Sequence, residues 1–141
     1  MLTYYGGKSD KMYSNHPRRV WYLAHPLAED DRYTTEENLA HARKILKILL
    51  DEGFQVVAPW MTLCQVLDDN DLEQRRKGID INVAVVSHLN AIILAGHRLT
   101  MGMSRELAVI ELEGGWVLDL LGVPDDKIAE VVRESFKVSE A

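Results

Sequence analysis

The chain has a single cysteine, Cys64, so no internal disulfide can form and a reducing cytoplasm is the expected compartment. It also lacks a basic excess. The net charge of −6 argues against a nucleic acid polymer as partner, which would call for a positive face. A nucleotide is not excluded, because backbone amides can hold a single phosphate. No apolar run approaches the length of a membrane span, the N-terminus has no signal-peptide pattern, and no membrane partner is expected. The histidines His16, His25, His41, His88 and His97 are scattered, and none pairs with another or with Cys64 at metal-ligand spacing. No metal and no cofactor are therefore expected. Internal repeats and low-complexity segments are absent too.

What is present is an ordinary soluble composition, 47% hydrophobic and 27% charged, in 141 residues, enough for one domain with a proper core. Residues 1–17 are polar and carry Gly6, Gly7, Tyr4, Tyr5 and Tyr13; they read as a loosely held N-terminal arm. The domain proper is expected over 18–141.

Residues 19–24 predict a first strand, ended by His25-Pro26 because proline cannot donate to a ladder. An acidic loop with Glu29, Asp30 and Asp31 follows. Thr34 with Glu37 forms a capping-box pattern that starts a helix with Leu39, Ala42, Leu46, Leu49 and Leu50 on one face. Gly53 stops it, and 54–58 predict a second strand closed by Pro59. Residues 60–70 read as a connector of undetermined structure. Asp71 can cap a helix whose apolar positions are Leu72, Ile79, Val83 and Val86, with Arg75, Arg76 and Lys77 on its polar side. Residues 116–120 predict a fourth strand, and Pro124 opens a last amphipathic helix through Ile128, Val131, Val132 and Phe136.

The central stretch is 91–106. Ala91-Ile92-Ile93-Leu94 has no polar break, as expected of a parallel strand covered on both faces. Gly96 and Gly102 free the backbone for a turn that a ligand can approach. Thr100 or Ser104 can cap the next helix, which would carry Glu106 in its first turn, where an ionised carboxylate is favoured and could serve as a nucleophile. Strands alternating with helices predict an α/β fold: a three-layer, doubly wound, flavodoxin- or Rossmann-like parallel sheet with helices on both faces. Ligands in such sheets bind beyond the carboxyl ends of the strands. Three loops leave those ends, 25–33, 59–71 and 96–104, and they hold the polar residues singled out here.

At these residues the chain resembles the nucleoside 2-deoxyribosyltransferase-like superfamily, and within it an uncharacterised branch of small bacterial and phage-type domains. The resemblance runs from about Val20 to Leu120. It rests on Tyr22-Leu23-Ala24-His25-Pro26, Ala58-Pro59, Leu67-Asp68-Asp69, Arg75, Gly78 and Gly96, and on the signature Thr100, Gly102, Glu106 after a strand. It implies that Glu106 attacks C1′ of a (deoxy)nucleoside or its 5′-monophosphate, displaces the base and leaves a glycosyl-enzyme, which water or another base then resolves. Tyr22 would line the sugar pocket and orient the nucleophile. Thr100, a neutral hydroxyl, would tolerate a 5′-phosphate better than a carboxylate. His25, Pro26, Asp68, Asp69, Arg75, Gly96, His97, Arg98, Thr100, Gly102, Met103 and Ser104 are the substrate-contact candidates. A homodimer or higher homo-oligomer is also implied.

Two positions depart from the superfamily pattern. Asn82 falls where an aspartate protonates the departing base, and Asn90 where the central strand often begins with aspartate. Asp80 cannot stand in for Asn82, since two helix positions rotate a side chain by about 200°. The first loop also lacks a glycine-rich basic cradle and offers Arg32 as its only cation. These departures keep a second reading open, a nucleotide-binding or sensing module without chemistry, and a third, an interaction scaffold. Several candidates carry an ordinary structural alternative. Glu106 can be a helix-capping acid, Tyr22 a core tyrosine, His25 a turn residue, Asp68 and Asp69 a solvated helix start, and Arg75 a surface residue. Trp60 and Met61 fit a base-stacking wall or, with Met101 and Met103, a subunit contact.

Overall fold

The computed structural model describes residues 1–6 and 19–137. Most of the expected arm, with Tyr13 and His16, lies outside the described residues. Its beginning is not loosely held: Leu2–Tyr4 forms strand β1, paired antiparallel with the strand Trp116–Asp119. Tyr4 stacks on Trp116 with ring centroids 4.4 Å apart, which ties this edge to the core.

The remaining strands are parallel: β2 (Val20–Ala24), β3 (Gln55–Val57), β4 (Ala91–Leu94) and β5 (Trp116–Asp119), in the sheet order β1-β5-β4-β2-β3. The sheet is therefore mixed, not wholly parallel, with the antiparallel strand at its edge. Along β2 and β4 every second side chain belongs to the same apolar cluster. Trp21, Leu23 and Ile93 pack with Ile45 and Leu49 of α1 (Thr35–Asp51) and with Ile128 and Val132 of α5 (Ile128–Lys137). Tyr22, Ile92 and Leu94 pack with Trp60 of α2 (Pro59–Val66), Val86 of α3 (Leu72–Leu89), and Met103 and Ile110 of α4 (Met101–Glu113). Period-2 alternation across a sheet is what assigns neighbouring residues to opposite clusters.

The helix starts follow local chemistry. Thr34 accepts from the Glu37 amide while Glu37 reaches back to the Thr34 amide, the expected capping box. Asp71 accepts from Glu73 and Gln74, and Thr100, rather than Ser104, caps α4 by accepting from Met103. Most of the expected connector is helical: Pro59 follows β3 and occupies the first turn of α2, where its missing N–H costs nothing. The inward face of α1 includes Ile45, while Leu50 is exposed, and Leu72 at the start of α3 is exposed as well. Among the described residues, no helix is long and apolar enough to cross a membrane.

Candidate functional site

The three loops expected at the carboxyl ends of the strands do converge. His25, Leu27 and Ala28 after β2, Trp60 and Asp69 after β3, and Arg98, Thr100, Gly102, Met103 and Glu106 after β4 line one cleft of about 430 Å³. Arg75 from the first turn of α3 and the largely exposed Met101 complete it. This volume falls in the range of small-molecule pockets.

Glu106 is placed by α4 but not in its first turn, which holds no acidic residue; the helix begins at Met101 and Glu106 follows in the second turn. The Tyr22 hydroxyl, rising from β2 into the same cluster, donates to Glu106 Oε2. Burial pushes the Glu106 carboxyl up to about 7, against the Tyr22 hydrogen bond and the Arg105 charge, which both lower it. This reverses the expectation of a carboxylate kept ionised by the helix N-terminus: desolvation exceeds the dipole here. Tyr22 is fully buried, and burial, the Glu106 charge and the hydrogen bond together raise its phenol far above its ordinary value, so it stays a donor. A buried carboxyl that titrates near neutrality can act as nucleophile or as acid.

The other candidates divide. His25, Asp69, Arg75, Arg98, Thr100, Gly102 and Met103 lie in the cleft lining with Glu106. Arg98 is not free there: its Nε donates to Asp30 at 3.0 Å. Asp30 also accepts from His97 Nε2 at 2.8 Å and from the amides of Arg32 and Tyr33. The two amides and then His97 hold its carboxyl well below the usual range. Thus the acidic loop is anchored to the turn after β4, and His97 faces a second cavity of about 330 Å³ with Tyr33, Glu37, Asn38, Ala40 and His41. Asp68 accepts from the Asn70 amide, and Ser104 is exposed; neither lies in the described lining.

Gly96 has a packing reason for its identity. It is buried at φ +98°, and a Cβ there would stand 2.5 Å from Pro26 Cδ, so Gly96 and Pro26 are partners in packing. Trp60 and Met103 are core residues, not surface ones; Trp60 Nε1 donates to the Leu23 carbonyl at 2.7 Å. Asn90 has a backbone reason for its identity. It ends α3 in the left-handed conformation, φ 55°, which asparagine tolerates well. The Asn82 and Asn90 side-chain oxygens are buried without a hydrogen-bond partner among the described residues.

Two participants were missed in the sequence reading. His41 on α1 and Asp125 before α5 both bond in line behind His25, and nothing in their spacing signals it, because sixteen and eighty-four residues separate the bonded pairs. Among the described residues no group of three His, Cys, Asp or Glu side chains could hold a metal ion. A family model described as a domain of unknown function (DUF7768) matches residues 19–117, a span that holds β2 through the first half of β5 and every described lining residue of the cleft. No curated protein and no solved structure matches the chain.

Proposed function

Because the chain belongs to the DUF7768 family, whose description assigns no activity, we propose a function from the cleft itself: cleavage or exchange of the N-glycosidic bond of a (deoxy)nucleoside or its 5′-monophosphate, with Glu106 as nucleophile. The observation that carries this is the Tyr22 hydroxyl on the Glu106 carboxylate at the wall of a cleft sized for a nucleoside. The strand order β5-β4-β2-β3 supports a doubly wound layout, with the ligand beyond the strand ends where the order reverses between β2 and β4.

In the reaction, an ionised Glu106 oxygen forms a bond to C1′ as the bond to the base nitrogen breaks. Tyr22 holds the carboxylate in line and, at its raised value, does not compete for the proton. The departing base needs a proton. Asp69 is the only other carboxylate in the described lining, and it takes that role in place of the expected aspartate at Asn82. Water or a second base then attacks C1′ from the opposite side and restores Glu106, giving net retention. Thr100 and the α4 amides receive the 5′ end, and Arg75 and Arg98 supply the nearby positive charge. The protein would act as a homo-oligomer in the reducing cytoplasm.

A specific observation favours a second reading. At neutral pH a large share of Glu106 is protonated and not nucleophilic, which suits a binding or sensing module. Incubation with deoxynucleosides and their monophosphates, followed by chromatography for free base, separates the two. Base release by the wild type but not by Glu106→Gln supports the enzyme. Saturable nucleotide binding with no release from any substrate supports the sensor.

A further inference from the structure

Behind the cleft wall a single line of hydrogen bonds crosses the end of the sheet. His25 Nδ1 meets the Pro26 carbonyl at 2.7 Å, and His25 Nε2 meets His41 Nδ1 at 2.7 Å. His41 Nε2 in turn meets Asp125 Oδ1 at 2.7 Å. Both ends of this line can only accept. The Pro26 end is a carbonyl. Asp125 is a carboxylate: burial pushes it up, but the bonds from His41 and Lys44 hold it below its ordinary value. Two neutral imidazoles carry two N–H groups between them, and the line contains three bonds.

We propose that His25 and His41 together hold three ring protons, and that His41 is the positioning residue that fixes His25 in the wall of the Glu106 cleft through the proton they share. The role in ligand binding rests on the reading of the cleft given above; the proton count does not. Each end of the line fixes one proton: Nδ1 of His25 donates to Pro26, and Nε2 of His41 donates to Asp125. The third lies between the rings. Burial lowers His25 to about 4, so the positive charge resides on His41, which is more exposed and faces the countercharge.

The surrounding groups fit this assignment. From α1, Lys44 reaches the other Asp125 oxygen at 3.1 Å and competes with His41 for the same carboxylate. From the turn after β4, His97 lies near His25, and its own bond runs to Asp30. Glu37 and Tyr33 share the second cavity with His41. From α2, Trp60 stacks on His25 with centroids 6.4 Å apart and brings no charge. Removing the third proton leaves two donors for three bonds, so one of the three must open.

Side-chain ¹⁵N NMR on the full chain, without ligand, tests the count. At pH 5.5 the expected pattern is His25 protonated at Nδ1 only and His41 protonated at both nitrogens. The His25 signals should then move as the third proton leaves the pair with rising pH, with one midpoint that belongs to the pair. Asp125→Asn keeps an acceptor oxygen but removes the countercharge, and should lower that midpoint. Lys44→Ala should raise it. Two protons on the pair at pH 5.5, or a midpoint indifferent to Asp125→Asn, would overturn the proposal. Calorimetry with deoxyadenosine 5′-monophosphate in a Glu106→Gln background separates the two readings. Affinity that falls from pH 5.5 to 8 at least threefold more than it does in His41→Gln, which carries the same ionisation of the ligand phosphate, supports the positioning role. Binding with the same pH dependence in both proteins overturns that role while leaving the cleft reading intact. Failure to bind at any pH overturns the cleft reading, and the positioning role with it.

Discussion

The Tyr22 hydroxyl donates to the Glu106 carboxylate, joining the middle of β2 to the second turn of α4 across 84 residues of sequence. Tyr22→Phe removes that donor and leaves the carboxyl buried with less support. A hydrogen bond to a charged group contributes roughly 1.5–3 kcal/mol, so Glu106 should titrate about one unit or more above its wild-type value of about 7. Carboxyl ¹³C NMR checks this; an unchanged titration would show that the bond does not hold the ionised form.

The raised Glu106 value makes stability depend on pH in a defined direction. In the unfolded chain Glu106 ionises near 4.5 and in the fold near 7, so between these values the folded state binds more protons. Its contribution is fully present below the lower value and is lost as pH rises through the upper one. Glu106→Gln has no such loss. It should therefore be more stable than wild type at pH 8, by up to about 3 kcal/mol, with the gain vanishing near pH 4. Urea unfolding at both pH values measures it.

Gly96 and Gly53 both have positive φ, +98° and +90°, but only Gly96 is crowded, by Pro26. Gly53→Ala should cost about 1 kcal/mol of backbone strain. Gly96→Ala adds an overlap with a rigid ring and should cost about 3 kcal/mol or more. Equal losses in chemical denaturation would refute the packing account of Gly96.

Asp30→Asn should lower the melting temperature at pH 7, because the wild-type carboxylate is held down by two amides, His97 and Arg98. A depressed value stabilises above the ordinary carboxylate range and fades as pH falls through the folded value, so the gap between the proteins should narrow below about pH 4. The same substitution releases Arg98 towards the cleft. Inorganic phosphate should then bind more tightly than to wild type, as read by its effect on melting temperature.

Trp60→Phe leaves the buried Leu23 carbonyl without its donor and thins the cleft wall beside His25. A loss of about 2–4 kcal/mol in unfolding free energy is expected. His25 ring signals should shift in the same variant, since Trp60 stacks on that ring.

Much of the layout was legible where local chemistry decides it. Thr34 with Glu37, Asp71 and Thr100 announce helix starts because their side chains bond within three residues. The unbroken Ala91–Leu94 run announces a strand buried on both faces. What was hidden depends on distant partners. β1 is too short and polar to declare itself, and it pairs with a strand more than a hundred residues away. Pro59 is ambiguous in sequence, since proline ends strands and opens helices equally well. The strand-end rule placed His25 and Asp69 at one cleft, whereas Arg75 lies on α3 outside the three loops and was a candidate only through the resemblance. His41 and Asp125 were not candidates, because a line of bonds through three separate elements leaves no periodic trace.

A carboxyl balanced at about 7 also makes any tenant of the cleft exchange hydrogen ions with its surroundings. A guest that prefers the ionised form expels them into the buffer, and one that prefers the neutral form draws them in, by as much as about half an equivalent near neutrality. Titration heats collected in buffers of differing ionisation enthalpy would count that exchange and give its sign. Expulsion marks a cleft prepared for nucleophilic attack, and uptake marks one that offers a donor.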